Sequence, residues 1–271
     1  ILERGMDCDN RIKAIENFHS YGILDENTNV QFGEGGAGTF SDGKLTTGIK
    51  DKRIRYVFEK LVEFGAPSEI LYLAKPHIGT DKLREVIKNI REEIIKCGGD
   101  VIFNAKLVDF TTSNGNIRSA VYEKNKSKYE IETNHIILAI GHSARDTFEM
   151  LFNKKIDMSQ KSFAMGVRIE HLQSEVNKSL YGNFHAHPAL SAADYKYVIH
   201  LPDGHSLYTF CMCPGGYVVA SASELDSVVT NGMSYFSRNG RNANSALLVN
   251  TTPSDFGSDY VLAGIELPHI S

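Results

Sequence analysis

The chain has 271 residues, of which 42% are hydrophobic and 23% charged, a composition that is ordinary for a globular protein of one large or two smaller domains. The net charge is −4 and aromatic residues do not alternate with Lys and Arg, which argues against a nucleic-acid partner, and no apolar run has the length of a membrane span. Four cysteines in a chain this long do not form a disulfide framework, so we expect a cytoplasmic protein.

The first residues have the pattern of a strand end. Ile1 and Leu2 are apolar, and Glu3, Arg4 and a glycine follow them. In a Rossmann domain the second strand ends in a carboxylate that accepts hydrogen bonds from a ribose, and Glu3 fits that position. A surface glutamate at the end of a strand would have the same pattern. We expect the sequence to be an internal piece of a longer protein.

A glycine-rich loop follows. Four of the six residues in 33–38 are glycine, and Gly33, Gly35 and Gly38 match the spacing G-x-G-x-x-G. The dinucleotide-binding motif continues into a helix, whereas residues 41–43 here would break one. We therefore interpret the loop as a different ligand cradle, in which backbone N–H groups approach a ligand without interference from a Cβ atom.

Apolar spacing predicts the helices of the first half. We expect helices over 11–18, 51–64 and 80–97, with Thr80 or Asp81 as the N-cap of the last, and a short helix over 67–74. A three-stranded meander follows over 100–112, 117–123 and 128–133. The continuous apolar run in 135–144 predicts a strand buried on both faces, as in a parallel sheet, and 146–152 predicts a helix.

The second half has shorter strand signals separated by turn residues, which predicts an antiparallel sheet. We place one domain at 1–155, with a helical segment at 51–99, and a second at 156–271. The strands are expected at 163–170, 195–200, 206–213, 217–222 and 246–249.

Six sequence strings resemble one family across nearly the whole chain. The resemblance is to flavoproteins of the glutathione-reductase type with two dinucleotide-binding domains, and more closely to the bacterial proteins called FAD-dependent or NAD-utilising dehydrogenases. The strings lie at 29–45, 74–81, 140–147, 166–171, 210–216 and 230–234.

The resemblance implies an α/β fold, with a partial Rossmann-type FAD-binding domain (a parallel sheet plus the meander) and an antiparallel-sheet α+β substrate domain. It implies an oxidoreductase that transfers hydride through FAD to or from a small molecule, with NAD(P)H as a further electron donor. A flavin-binding or sensing module without turnover is the alternative. The residues expected at the cofactor are Glu3, Arg4, Gly35, Gly36, Ala37, Thr39, Ser41, Asp42, Gly43, Leu107, Ala139, Gly141 and His142.

Catalytic candidates are cationic or titratable residues beside these strings. Lys44 could favour a reduced, anionic flavin, or be a solvated lysine. His77 and His142 could exchange protons near pH 7, and Arg145 lies in a similar loop. Any of them could equally be an ordinary polar loop residue.

Other polar residues have two interpretations each. Cys211 and Cys213, two apart on an expected strand, should share a face and are either structural or a redox pair. Arg168 either binds a carboxylate substrate or pairs with Glu170. A third hypothesis, a metal-dependent enzyme, would use four histidines, although no carboxylate–histidine spacing supports a metal site. These are His185, His187, His200 and His205.

Overall fold

The computed structural model describes residues 1–266. This part of the chain is mixed α/β, and its sheets are antiparallel. Its helices are α1 (Cys8–Tyr21), α2 (Arg53–Glu63), α3 (Thr80–Lys96), α4 (Arg145–Asn153), α5 (Gln173–Tyr181) and α6 (Ala263–Glu266). Its strands are β1 (Lys106–Ser113), β2 (Asn116–Lys124), β3 (Ser127–Glu132), β4 (Phe163–Leu172), β5 (Val198–His200), β6 (Ser206–Cys213), β7 (Tyr217–Ala220), β8 (Thr230–Met233) and β9 (Asn242–Thr251). Short 3-10 helices lie at Ala37–Phe40, Ser68–Leu71, Gly182–Phe184 and Pro253–Asp255.

The strands form three sheets, in the orders β1-β2-β3, β4-β9-β6-β5 and β7-β8. The expected Rossmann-type parallel sheet is wrong for the described residues, in which parallel pairing is limited to an isolated bridge between Leu2 and Ile102. A parallel sheet requires strand–helix–strand crossovers. Here α2 and α3 lead into an antiparallel meander instead.

The segment 135–144 is the second correction, because it is not a strand. Ile137 is 93% exposed and Leu138 is 44% exposed, and the segment pairs with no strand of residues 1–266. An apolar run predicts burial only where neighbouring strands lie on both sides of it. Ala139, Gly141 and His142 are consequently on the surface.

Helix α1 is longer than expected at both ends because its ends are capped. The side chain of Asp7 accepts hydrogen bonds from the N–H groups of Asp9 and Asn10, which satisfies free donors of the first turn. Gly22 ends the helix in the left-handed conformation, with φ of 70°.

Helices α2 and α3 confirm the predictions for 51–64 and 80–97 within two residues. They pack around a buried cluster of Ala66, Ile70, Ile78 and Val86. The segment 67–74 contains only the 3-10 helix Ser68–Leu71. Helix α3 is not capped as expected, because Gly79 is its N-cap and the side chain of Thr80 bonds to Ser41.

The meander is confirmed, but β1 begins six residues later than expected. Residues 102–105 instead run beside the start of the chain. The N–H groups of Ile102 and Ala105 donate to the carbonyls of Ile1 and Glu3, each at 2.9 Å.

In the second half, β4 and β9 pair over ten residues, so the predicted strand 246–249 is only the middle of β9. The strands predicted at 195–200 and 217–222 are shorter, and β8 and α5 were not predicted. The four-stranded sheet lies within 163–251. The domain boundary near residue 155 stays a prediction.

Candidate functional site

Arg11 organises the segment that leads into the glycine loop. Its side chain is fully buried, with 0% exposure. Its Nε donates to Asn29 O at 2.8 Å and its Nη2 to Val30 O at 3.0 Å. Its Nη1 donates to Glu34 O at 2.7 Å and Gly33 O at 3.3 Å. One guanidinium thus satisfies four carbonyls of an otherwise irregular segment, which sequence reasoning missed. The signal was an arginine four residues before Ile15, on the apolar face of the predicted helix.

Glu3 holds the same loop from another side. Its Oε1 accepts hydrogen bonds from Gly33 N at 3.1 Å and Gly5 N at 2.8 Å. A Cβ atom on Gly5 would lie 2.6 Å from the Cα of Gly33, so the two backbones touch. One carboxylate oxygen therefore serves the loop itself, and the expected ribose contact of Glu3 stays a prediction.

The glycine loop leaves open space on its outer side. Among residues 1–266, chain neighbours aside, Gly36 and Gly38 have no atom within 4 Å of the position a Cβ would occupy. The N–H groups of Gly35 and Ala37 have no hydrogen-bond partner within residues 1–266. Thr39, by contrast, is 1% exposed and donates from Oγ1 to Glu34 O at 3.2 Å. The loop thus has two N–H donors that could bind an anionic ligand, whereas the buried Thr39 side chain holds the loop from inside.

Arg4 lies at a cleft next to the loop. Its Nη2 is 2.7 and 2.6 Å from the two carboxylate oxygens of Asp146, and its guanidinium is 4.4 Å from the Phe32 ring centre. The cleft, of about 240 Å³, is also lined by Lys106 and Ser143.

Asp42 is the centre of a cluster of polar side chains that it forms with Lys44, Ser234 and Arg238. It is 1% exposed, and its Oδ2 lies 2.6 Å from Nη2 of Arg238 and 3.0 Å from Nζ of Lys44. Ser234 Oγ donates to its Oδ1. Burial alone would raise the pKa of Asp42, but Lys44, Arg238 and Ser234 outweigh burial and hold the pKa below its ordinary value. The carboxylate is therefore ionised and already bound by side chains of the protein.

Lys44 is not the solvated lysine that was one of its two interpretations. Besides the Asp42 pair, its Nζ lies 3.6 Å from Sγ of Cys213. Burial acts to lower the pKa of Lys44, but Cys213 and Asp42 raise it above its ordinary value. The site thus keeps a fixed positive charge directly after the glycine loop.

His77 is brought to the same cluster by backbone pairing. Lys44 and His77 form an antiparallel bridge. Nε2 of His77 lies 3.1 Å from Phe236 O, and the two rings stack with centres 5.4 Å apart. Burial and the charge of Arg238 lower the pKa of His77, so the imidazole is neutral at pH 7. A carbonyl oxygen only accepts, so Nε2 carries the hydrogen. Nδ1, which has no hydrogen-bond partner within residues 1–266, can accept a proton.

Three segments far apart in sequence therefore meet here. Ile78 N donates to Gly43 O and Gly79 N to Asp42 O, each at 3.1 Å. Ser41 continues the contact, since its carbonyl accepts from Thr80 Oγ1. The strings at 29–45, 74–81 and 230–234 thus share one site, whereas sequence reasoning had only placed them along the chain.

Cys211 and Cys213 complete the cluster from β6, but not as two side chains on one face of a regular strand. The pairing of β6 with β9 is interrupted between Phe210 and Cys213, and Cys211 has a φ of 50°. The bulge breaks the alternation of side chains on which the prediction depended. Cys213 is buried, whereas Cys211 is half-buried.

Arg168 does not pair with Glu170. Its Nη1 donates to Asn244 Oδ1 at 2.6 Å and to Cys211 O at 3.3 Å. Glu170 instead accepts from Val218 N at 2.7 Å and from Asn242 Nδ2 at 2.5 Å. Arg168 therefore supports the cysteine bulge of β6 from β4, across the intervening strand β9.

The remaining predicted site residues lie elsewhere. His142 is exposed, and Arg145 forms an ion pair with Glu224. Leu107 pairs with Tyr122 in the meander. Their predicted cofactor and proton-transfer roles stay predictions.

The four histidines are not assembled into a metal site. His185, His187 and His200 are exposed, and His205 contacts Asp203 and Asp255. Over residues 1–266, no three His, Cys, Asp or Glu side chains are grouped so that they could hold a metal ion.

Residues 162–269 match the protein family described as FAD-dependent protein, C-terminal domain-like. This match supports an FAD-dependent family. The matched region contributes Arg168, Cys211, Cys213, Ser234 and Arg238 to the cluster around Asp42. The match makes no statement about which reaction is catalysed.

A curated relative covers nearly the whole chain. It is an uncharacterized protein of Clostridium beijerinckii, 51% identical over 267 residues, which is 98% of this chain and 49% of the relative. The chain thus spans about half the length of this relative.

Two solved flavoprotein structures are distantly similar. A triple mutant of the flavin-dependent brominase Bmp2 superposes with a TM-score of 0.33 and 11% identity, over 74% of this chain and 41% of that one. CtdE in complex with FAD superposes with a TM-score of 0.22 and 11% identity, over 64% of this chain and 35% of that one. At these scores neither superposition bears on the fold or the function of this chain. Within residues 1–266, no helix combines the length and apolarity needed to cross a membrane.

Proposed function

We propose that this chain is part of an FAD-dependent oxidoreductase that transfers hydride between flavin and a small molecule. The observation that supports it is a glycine loop that carries N–H groups without a partner in residues 1–266 and continues directly into the pair of the buried Asp42 with Lys44. The family match over 162–269, which supplies the other half of the cluster, supports the same cofactor.

The residues present fit an anionic dinucleotide. The N–H groups of Gly35 and Ala37 have no partner in the part of the chain that the structure describes, and Gly36 and Gly38 leave open space beside them. A phosphate group would fit there without a steric clash. Lys44, held beside the loop by Asp42, adds a positive charge. When bound, FAD supplies the hydride chemistry, and the protein supplies binding, orientation and electrostatics.

His77 is the residue best placed to move a proton. Its ring is neutral and oriented by the Nε2 contact with Phe236, and its Nδ1 accepts no hydrogen bond from the described residues. We propose that it accepts a proton from the substrate. Glu3, Arg4, Ser41, Gly43, Leu107, Ala139, Gly141 and His142 stay proposed cofactor contacts.

Cofactor binding is tested by filling the open space at the loop. Gly38 is suited to this, because its φ is not positive and a Cβ would meet nothing within 4 Å. Gly38→Leu should therefore leave the full-length protein folded and weaken FAD binding at least about tenfold, as measured by flavin fluorescence. Gly48→Leu is the matched control, since Gly48 has the same open surroundings outside the loop. If both variants bind FAD as tightly as the wild type, the loop is not the flavin site.

Turnover is tested separately. Anaerobic mixing of the FAD-loaded protein with NADH or NADPH, followed at 450 nm, measures reduction of bound flavin, and His77→Gln tests the proton acceptor with organic donors. Binding of FAD with no reduction by any donor would favour the sensing module over the oxidoreductase.

A further inference from the structure

The cysteine pair has surroundings that a purely structural pair does not need. The thiol of Cys213 donates to Cys211 O at 3.2 Å. Lys44, from the end of the glycine loop, has its Nζ 3.6 Å from the Cys213 thiol, and Arg168 of β4 donates from Nη1 to the Cys211 carbonyl at 3.3 Å. One cation therefore contacts the buried thiol, and a second holds the backbone of the half-buried cysteine.

We propose that Cys211 and Cys213 are a reactive dithiol that exchanges with low-molecular-weight disulfides, with Cys211 as the attacking thiolate and Cys213 as the resolving thiol. This goes beyond the proposed flavin function, and its test does not depend on FAD.

Exposure and charge assign the two roles. Cys211 is half-buried and so reachable, whereas Cys213 is buried below it with 0% exposure. The hydrogen bond with Cys213 is the main cause that lowers the pKa of Cys211, to about 6, helped by Lys44 and Arg168 and opposed by burial and Asp42. The same hydrogen bond, with burial, raises the pKa of Cys213. A thiolate that is stabilised and accessible is the usual state of a nucleophilic cysteine.

The backbone at the pair is also unusual. Cys211 has a φ of 50°, a conformation that residues other than Gly, Asn and Asp rarely adopt. The Arg168 side chain packs directly against Gly232 of β8, which has no side chain of its own. A Cβ atom at Gly232 would clash with Nη1 of Arg168 and Oδ1 of Asn244. The bulge and its supporting arginine are thus held from β4, β8 and β9 together.

The exchange balances in two steps. The Cys211 thiolate attacks one sulfur of R–S–S–R, the S–S bond breaks, and a thiolate leaves and takes up a proton. Cys213 then loses its proton and attacks the Cys211 sulfur, forming the Cys211–Cys213 disulfide and releasing a second thiol. Two protein thiols are oxidised and the small disulfide is reduced to two thiols.

The first test is the pH profile of alkylation. The reduced full-length protein is treated with iodoacetamide, and labelling of each cysteine is followed by mass spectrometry. Cys211 should reach half of its maximal rate near pH 6, and labelling of the exposed Cys97 is followed in the same samples. Lys44→Gln should move the Cys211 midpoint upward and Lys44→Arg should keep it. A Cys211 rate that is still rising steeply at pH 8 would overturn the proposal.

The second test traps the intermediate. With 2-hydroxyethyl disulfide, the wild type should form the Cys211–Cys213 disulfide, and Cys213→Ser should accumulate a mixed disulfide on Cys211. Cys211→Ser should form neither. If Cys213→Ser folds, as judged by circular dichroism, but carries no adduct on Cys211, the proposal fails. Because no readout involves flavin, failure here leaves the FAD proposal intact, and failure to bind FAD does not change these results.

Discussion

The Nη2 atom of Arg238 lies 2.6 Å from Oδ2 of Asp42, an ion pair between residues 196 positions apart in the sequence. Lys44 contacts the same carboxylate, and Asp42 is 1% exposed. One buried anion therefore joins the end of the glycine loop to the region matched by the FAD-dependent family model.

Replacing Asp42 by asparagine should destabilise this junction. Asp42→Asn removes the charge that compensates both Lys44 and Arg238, while the amide keeps the shape of the side chain. Breaking a buried pair from one side costs about 3 kcal/mol of unfolding free energy, measured by urea denaturation. Asp51→Asn is the control, because the exposed pair of Asp51 with Arg53 should contribute little. Equal effects of the two variants would show that the buried pair does not stabilise the fold.

Asp42 should also make stability depend on pH in acid. Its pKa is held below the ordinary value of 3.8 by Lys44, Arg238 and Ser234, against the effect of burial. The folded state therefore binds the proton less readily than the unfolded chain. The contribution of Asp42 is complete above about pH 4 and is lost as the pH falls through the lower folded pKa. Urea unfolding between pH 2.5 and 6 should show this fall in the wild type and a flatter dependence in Asp42→Asn.

Sequence patterns predicted the local helices well, but they did not predict the long-range contacts of Asp42. Helices α2 and α3 were found because their apolar spacing, end glycines and lengths are local properties. The contacts of Asp42 with Ser234 and Arg238 could not be found in this way, because no local pattern indicates that residues some 190 positions apart meet.

Two of the structural predictions were wrong for a different reason. The apolar run containing Ile137 predicted a buried strand, yet burial depends on neighbouring strands that this pattern does not specify. The shared face of Cys211 and Cys213 followed from strand alternation, which the bulge at Cys211 breaks. Periodicity assumes a regular strand, and the departure falls within the cluster of candidate functional residues.

Arg11 should be a major determinant of stability in the first half of the chain. Arg11→Met keeps much of the side-chain volume but leaves Asn29 O and Val30 O without a donor from residues 1–266. Gly33 O keeps the N–H of Gly36, and Glu34 O keeps Thr39 Oγ1. Each unsatisfied group costs about 1–3 kcal/mol, with partial recovery as the loop relaxes, so we expect a loss of about 4 kcal/mol in thermal or urea unfolding. Lys13→Met, an exposed position on the same helix, is the control and should change stability little. Hydrogen exchange of the backbone amides in 29–34 should be faster in Arg11→Met and unchanged in Lys13→Met, which would place the loss of stability in this segment. Unchanged exchange there in Arg11→Met would contradict the prediction.

Gly79 should be required for the close contact between the segment before α3 and the segment after β8. Its φ is +84°, and a Cβ atom would lie 2.5 Å from Phe236 N and 2.7 Å from Phe236 Cα. Gly79→Ala must therefore separate the two backbones and weaken the stacking of His77 on Phe236, at a cost of about 3 kcal/mol. Gly115→Ala is the control that carries the backbone strain without the steric clash. Gly115 has a φ of +75°, and a Cβ atom there would meet nothing within 4 Å among residues 1–266. This substitution should therefore lower the free energy of unfolding by only about 1 kcal/mol. The difference in urea unfolding free energy between the two variants measures the close approach. If the variants lose the same stability, the two backbones do not touch in solution.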